Sequence, residues 1–163
     1  REEAARSLGA MQTKEALPQM CHLLRSGPAA SGGEQVGSST LNEPCEALLE
    51  ALGNIGVSSP DVLNVITPFT NHPRPLVRAA ACRALLQLMK ERRWAVELEK
   101  LLQHPEPLVR RGVLLDLGAT GWTAAIPAIE SASVEASLKL VALRGLAEQS
   151  EDTKVLDAMD RLL

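Results

Sequence analysis

The residues best suited to binding chemistry are arginines that concentrate in two stretches of the chain. Arg74, Arg78 and Arg83 fall in the first stretch, and Arg110 is followed directly by Arg111 in the second. Planar guanidinium groups bind carboxylates and phosphates through paired hydrogen bonds. The sequence leaves two interpretations open. The arginines bind an anion, or each one pairs with an acidic side chain and serves the fold.

Acidic side chains form the second set of candidates. Glu46 and Glu50 are four residues apart, which places them on one face of a helix. Asp116 interrupts an otherwise apolar run at residues 113–117, so we expect it to be partly buried. A buried carboxylate needs a partner. That partner is either an arginine of another structural unit or a donor on a ligand.

Other kinds of site are not indicated. His72 and His104 stand in equivalent positions before proline, which is typical of a repeat rather than of a metal pair. Cys21, Cys45 and Cys82 form no metal-binding or redox motif, and they favour a reducing compartment. There is no glycine-rich phosphate loop, serine nucleophile motif or zinc-ligand spacing. We therefore predict no metal site and assign no catalytic residue.

The composition excludes several classes of protein. The net charge is −3, so no overall basic field favours nucleic acid or anionic lipid. No apolar run approaches the roughly 20 residues that span a bilayer. Aromatic residues are only 2% of the chain, so Leu and Ala must fill the interior, which suits packed helices better than a sheet.

A repeated heptapeptide indicates how the chain is organised. Residues 72–78 read HPRPLVR and residues 104–110 read HPEPLVR, with a constant offset of 110 − 78 = 32. Offsets of this size indicate stacked helical repeats. Aligned on the two arginines, further stretches place equivalent positions at residues 1, 45, 78, 110 and 139. In such repeats the arginine of Val-Arg commonly pairs with an acid of a neighbouring repeat.

The elements predicted from this alignment are pairs of helices. Each of the five anchor helices alternates with a shorter amphipathic stretch, at residues 14–26, 60–71, 93–103 and 123–132. Gly53, Gly56, Gly118 and Gly121 are predicted to end anchor helices and to allow left-handed caps. The predicted fold is all-α, a HEAT-like α-solenoid of about five helix pairs.

Two further features complete the predicted organisation, which is a single domain over residues 1–163. Residues 151–163 are predicted to form a C-terminal capping helix. Residues 27–42 are rich in Gly and Ser and are predicted to be a flexible insertion between repeats, either a tolerated surface loop or a flap over a ligand. Because the chain opens inside a helical pattern, we expect it to be a C-terminal portion of a longer protein.

Four stretches resemble one particular family. They are residues 44–56 (PCEALLEALGNIG), 108–122 (LVRRGVLLDLGATGW), 137–146 (SLKLVALRGL) and 159–163 (MDRLL). Each is similar to the matching segment of the E-type subunit of heterodimeric phycobilin (phycocyanobilin) lyases. HEAT-like repeats alone explain Leu-Gly and Val-Arg, but they do not explain Arg-Arg followed by Asp-Leu-Gly, or the later Ser-Leu-Lys-Leu.

The resemblance implies an enzyme subunit from a cyanobacterium or a red-algal plastid, located in the cytoplasm or stroma. Family members act with an F-type partner subunit and attach a linear tetrapyrrole, usually phycocyanobilin, to a phycobiliprotein α subunit. The bond is a thioether to a cysteine of the acceptor, so the lyase needs no thiol or catalytic triad of its own. The tetrapyrrole is a substrate and no permanent cofactor is implied. We expect the fragment alone to be inactive.

The resemblance also selects residues expected to contact the chromophore or the partner subunit. These are Glu46, Glu50, Arg110, Arg111, Asp116 and Lys139. Basic side chains suit the propionates of a tetrapyrrole, and a carboxylate suits its pyrrole N–H groups. The alternative function is a non-enzymatic HEAT-repeat scaffold that binds proteins, or a phycobilisome-degradation or chaperone factor of the same superfamily.

Overall fold

A computed structural model describes residues 17–26, 43–150 and 153–163 of the protein. Its regular secondary structure in these ranges is entirely helical, which confirms the prediction of an all-α fold. The α-helices there are α1 (Leu17–Ser26), α2 (Glu43–Ile55), α3 (Pro60–Ile66), α4 (Pro75–Met89), α5 (Arg92–Leu101), α6 (Pro107–Ala119), α7 (Ile126–Ser131), α8 (Ala136–Gln149) and α9 (Thr153–Leu162).

The anchor positions fall in the long helices, as predicted. Residues 45, 78, 110 and 139 lie in α2, α4, α6 and α8 respectively. The helices between them correspond to the predicted amphipathic stretches. The anchor at residue 1 and the insertion at residues 27–42 lie outside the described residues.

Two of the amphipathic stretches are interrupted by proline. The stretch at residues 60–71 divides into α3 and a 3₁₀ helix over Thr67–Asn71, which contains Pro68. The stretch at residues 123–132 begins with a 3₁₀ helix over Thr123–Ala125, and Pro127 lies in the first turn of α7. Proline has no N–H and fixes φ, so it is tolerated only where a helix begins. The sequence pattern therefore predicts the stretch but not its division.

The chain forms two compact units, with the boundary between Lys90 and Glu91. In the first unit α2 packs along α4, and α1 contacts both α2 and α3. Leu49, Leu52 and Leu85 are completely buried in this core. The prediction that residues 1–163 form a single domain stays a prediction.

In the second unit α6 packs along α8, and α5, α7 and α9 surround this pair. Leu114, Leu117 and Leu146 are completely inaccessible to solvent. Helix α9 packs on α8 and α7 through the buried side chains Val155 and Ala158. The predicted C-terminal capping helix is confirmed by this packing.

The four glycines at the ends of anchor helices divide into two kinds. Gly56 and Gly121 have φ values of +78° and +72°, which confirms the predicted left-handed conformation. Gly53 and Gly118 lie inside α2 and α6, so the prediction of left-handed caps at these two positions is wrong. A Cβ atom on Gly118 would lie 2.6 Å from the carbonyl oxygen of Ala142 on α8. Gly118 is therefore required by the close approach of two helices.

Candidate functional site

In each heptapeptide, the arginine side chain donates hydrogen bonds to the backbone of the same heptapeptide. Nη1 of Arg78 donates to the carbonyl oxygens of His72 (2.9 Å) and Pro73 (3.2 Å). Nη1 of Arg110 makes the equivalent bonds to His104 (2.8 Å) and Pro105 (2.9 Å). Each arginine thus closes its own turn at the start of an anchor helix. This corrects the interpretation of these two arginines as ion-pair partners of an acid in a neighbouring repeat, as far as the described residues show.

The histidine of each heptapeptide completes the same turn. The backbone N–H two residues later, of Arg74 or Glu106, donates to Nδ1 of the histidine over 3.1 Å in both copies. Burial, and then the charges of Arg74 and Arg78, lower the pKa of His72 below its usual 6.5. A neutral ring keeps Nδ1 available as an acceptor. These histidines are structural parts of the helix start.

Arg110 makes one further hydrogen bond, to a segment outside its own heptapeptide. Its Nε donates to the carbonyl oxygen of Ser133 over 3.1 Å. Ser133 lies in the connection between α7 and α8. Three backbone carbonyls therefore fix the guanidinium between the N-terminal end of α6 and this connection.

Arg111 forms an ion pair with Glu135 just before α8. Its Nη2 donates to Oε1 and its Nε donates to Oε2 over 3.3 Å, so the pair is bidentate. The hydrogen bond from Arg111 lowers the pKa of Glu135 below its ordinary 4.5, and the same pairing raises the pKa of Arg111. About half of each side chain stays accessible, 47% for Arg111 and 52% for Glu135.

These groups line an open depression of about 480 Å³ on the second unit. Its walls are the N-terminal end of α6 and the connection before α8. The lining residues are Pro107, Arg110, Arg111, Ser133, Val134 and Glu135. The depression therefore presents two guanidinium groups and one carboxylate, a net formal charge of 2 − 1 = +1.

Lys139 contacts the chain just before the same connection. Its Nζ donates over 2.7 Å to the carbonyl oxygen of Glu130, at the C-terminal half of α7. The Glu130 carboxylate also accepts from Nε of Arg161 over 2.8 Å. Three of the predicted site residues, Arg110, Arg111 and Lys139, thus all bind the segment from Glu130 to Glu135.

The predicted carboxylates lie elsewhere. Glu46 and Glu50 are on α2 in the first unit, and Glu50 pairs with the buried Arg83 of α4 over 3.5 Å. Asp116 is half-buried near the C-terminal end of α6 and does not line the depression. The structure therefore brings the predicted basic residues to one segment but does not bring Asp116 into the depression with them.

Sequence reasoning missed Ser133 and Glu135. The only local signal is that Glu135 is the N-cap residue of α8, where a negative charge interacts favourably with the helix dipole. No cluster of metal-ligating side chains occurs in the part of the chain that the structure describes. Among the same residues, no helix is both long and apolar enough to cross a membrane.

Comparison with known protein families identifies the repeats. Residues 69–147 match the family model of HEAT repeats. Residues 1–26 match the model of the PBS lyase HEAT-like repeat. The fold class is therefore an all-α solenoid of HEAT-like repeats, as predicted.

Individual relatives give a sharper result. Bilin biosynthesis protein RpcE of Synechococcus sp. (strain WH8020) is 66% identical over 79% of this chain and 49% of that protein. Phycocyanobilin lyase subunit alpha of Picosynechococcus sp. (strain ATCC 27264 / PCC 7002 / PR-6) is 38% identical over 100% of this chain and 63% of that protein. The chain spans about half to two thirds of the length of these curated relatives.

A solved structure agrees with them. It is the complex of CpcE and CpcF of phycocyanin lyase from Nostoc sp. PCC7120, which matches with 40% sequence identity and a TM-score of 0.85. The match covers 100% of this chain and 62% of the solved chain. The resemblance seen in the sequence is confirmed, and this chain is a HEAT-repeat relative of the E-type, or alpha, subunits of phycocyanobilin lyases.

Proposed function

We propose that the whole protein is a subunit of a bilin lyase that binds a linear tetrapyrrole and attaches it to a cysteine of a phycobiliprotein α subunit. One observation carries this proposal. The chain matches along its entire length, at a TM-score of 0.85, a structure of two lyase subunits in complex. An F-type subunit is accordingly the proposed partner, and the cytoplasm, or the stroma of a plastid, is the proposed location.

The proposed reaction is an addition in which no group of the lyase forms a covalent bond. The acceptor thiol adds across the exocyclic ethylidene double bond of the tetrapyrrole. A carbon–sulfur bond forms, the π bond of the ethylidene is lost, and the thiol proton ends on the tetrapyrrole. No oxidant, reductant or leaving group is required. The lyase therefore has to bind, orient and polarise its substrate.

The basic residues that contact the Glu130–Glu135 segment suit the propionates of such a substrate. Arg110 and Arg111 line the depression, and Lys139 binds the same segment. Glu46, Glu50 or Asp116 supplies the carboxylate that holds pyrrole N–H groups. A carboxylate there would also favour the protonated ring system, which makes the ethylidene more electrophilic. No catalytic residue is assigned.

The proposal is tested by co-expression. The full-length protein, an F-type subunit, a phycobiliprotein α subunit and the enzymes of phycocyanobilin synthesis are produced together. Covalent adduct on the α subunit is then measured by zinc-induced fluorescence after denaturing electrophoresis. We expect adduct well above that formed spontaneously without the lyase subunits.

Two controls define the outcome. Omission of the F-type subunit should lower the adduct to the spontaneous level, because the match is to a two-subunit complex. An acceptor whose cysteine is replaced by serine should carry no fluorescence. If the complete set gives no more adduct than the spontaneous control, the lyase function is wrong and a protein-binding scaffold remains.

A further inference from the structure

The depression on the second unit has a net positive charge, and the fold holds one of its two guanidinium groups in place. Arg110 is fixed by the carbonyls of His104, Pro105 and Ser133, and these bonds use only its Nη1 and Nε. Within residues 17–26, 43–150 and 153–163, its Nη2 makes no hydrogen bond, and no carboxylate lies within ion-pair distance of the group. A guanidinium positioned in this way costs little further ordering when an anion binds.

Arg111 differs, because it already forms an ion pair with a carboxylate of the chain. The bidentate pair with Glu135 has the geometry that arginine adopts with any carboxylate. Both side chains are about half exposed, at 47% and 52%. Exposed ion pairs contribute little net stability, so a second carboxylate can take the place of Glu135 at low cost.

We propose that the depression is a carboxylate-binding subsite for a propionate of the tetrapyrrole, in which Glu135 occupies Arg111 until the ligand carboxylate displaces it. Arg110 is the fixed half of this subsite and Arg111 the exchangeable half. The inference rests on the proposed function for the identity of the ligand. Glu135 is a specificity-determining residue here, since it competes with carboxylates for Arg111.

The competition has a direct consequence for selectivity. A neutral or esterified group entering the depression leaves the Arg111–Glu135 pair intact, and it gains at most a hydrogen bond from Arg110 and no ion pair. A propionate releases Glu135 into solvent and replaces it in a site that keeps a net positive charge. The depression therefore discriminates between free acids and their esters.

The test is a binding titration with the assembled pair of full-length subunits. The probes are phycocyanobilin, which carries two free propionates, and its dimethyl ester, which carries none. Glu135→Gln removes the competing charge and keeps the size of the side chain. We expect it to tighten binding of the free acid roughly two- to fivefold, the size of effect that an exposed ion pair can give. Binding of the diester should not change.

Arginine variants and a matched ion pair complete the design. Arg110→Gln and Arg111→Gln should each weaken binding of the free acid, by roughly tenfold for the fixed group, and should weaken binding of the diester far less. Glu148→Gln is the matched control, because Glu148 forms an exposed pair with Arg144 on α8, outside the lining of the depression. It should change neither affinity.

Each other outcome overturns the proposal. If Glu135→Gln binds the free acid like wild type or more weakly, Glu135 is no competitor. If the variants change the affinities for the free acid and the diester by the same factor, the subsite does not recognise the carboxylate. If Glu135→Gln instead disrupts assembly with the F-type subunit, the pair belongs to a protein interface. Wild-type subunits that bind neither probe would overturn the proposed function as well.

Folding does not obscure these results. Glu135 and Arg111 are surface groups, so their neutral variants should keep the helical circular dichroism of wild type. Arg110 holds two segments together, and its variant could unfold locally. The Glu135→Gln result decides the proposal without it.

Discussion

At the scale of single residues, the surroundings of His72 in the first heptapeptide disfavour its protonated form. Its ring accepts a backbone hydrogen bond at Nδ1, and it stacks against Phe69 with the ring centroids 6.3 Å apart. Two arginines, Arg74 and Arg78, lie close enough to disfavour a second positive charge. The folded state therefore binds a proton on His72 less readily than the unfolded chain does.

The sign of the resulting pH dependence follows from this difference. Because the pKa of folded His72 lies below its usual 6.5, stability is lost as pH falls below 6.5 and is kept above it. His72→Asn keeps an acceptor near Nδ1 but cannot titrate. We expect wild type to lose free energy of unfolding between pH 8 and pH 5 by more than the variant does, in urea denaturation. Parallel profiles would contradict the prediction.

The site residues differ in how well the sequence alone predicts them. Residue type and position in a family pattern predict Arg110, Arg111 and Lys139 as site residues, and all three contact one segment. Glu135 could not be selected that way. Its pairing spans 24 positions along the chain and depends on how α6 and α8 approach each other. A single acidic residue in a short connection carries no such information.

At the scale of elements, the contact between α6 and α8 organises the second unit. Gly118 lies where the two helices touch, and its missing side chain lets the backbone of Ala142 come close. Gly145 makes the reciprocal approach, since a Cβ there would lie 2.8 Å from the carbonyl oxygen of Gly118. The same arrangement occurs between Gly53 of α2 and Ala84 of α4. Leu-Gly in this repeat is therefore a packing signal.

Replacing Gly118 by Ala tests this role. The new methyl group would lie 2.6 Å from a backbone oxygen and 2.7 Å from a backbone Cα, and neither can rotate away. We expect the free energy of unfolding to fall by about 1–3 kcal/mol, the usual cost of overpacking. If Gly118 were only a helix end, Ala would be tolerated or even stabilising.

A second variant on the same helix pair serves as the control for that measurement. Ser137 is exposed near the start of α8, and Ser137→Ala should change stability by less than about 0.5 kcal/mol. Equal effects of the two substitutions in urea or thermal unfolding would show that the helices can separate freely, which would refute the packing role.

The positions of the helices are the feature that the sequence predicts best. The offset of 32 residues between two heptapeptides predicts α4 and α6, and the further stretches aligned on their arginines predict α2 and α8. What it could not provide was the conformation at particular glycines and prolines. Gly53 and Gly56 have the same residue type and lie three positions apart, yet one packs against a helix and the other has φ of +78°. Tertiary approach decides between these roles.

At the scale of the whole molecule, the proposed function assigns Asp116 a role that differs from that of the arginines. Asp116 is half-buried on α6 outside the depression, so it is not part of the proposed propionate subsite. In the proposed function it is one of three carboxylates that could hold pyrrole N–H groups. Its contribution would then be felt only in the assembled enzyme with substrate bound.

Asp116→Asn in the full-length subunit tests that role, since it removes the charge and keeps the shape. A charge-assisted hydrogen bond contributes roughly 1.5–3 kcal/mol, so we expect kcat/KM for adduct formation to fall about ten- to a hundredfold. Asp157→Asn, an exposed carboxylate on α9, should leave the rate unchanged. Loss of helical signal in Asp116→Asn would assign the residue to the fold. An unchanged rate with an intact fold would leave Glu46 and Glu50 as the candidates for the pyrrole N–H groups.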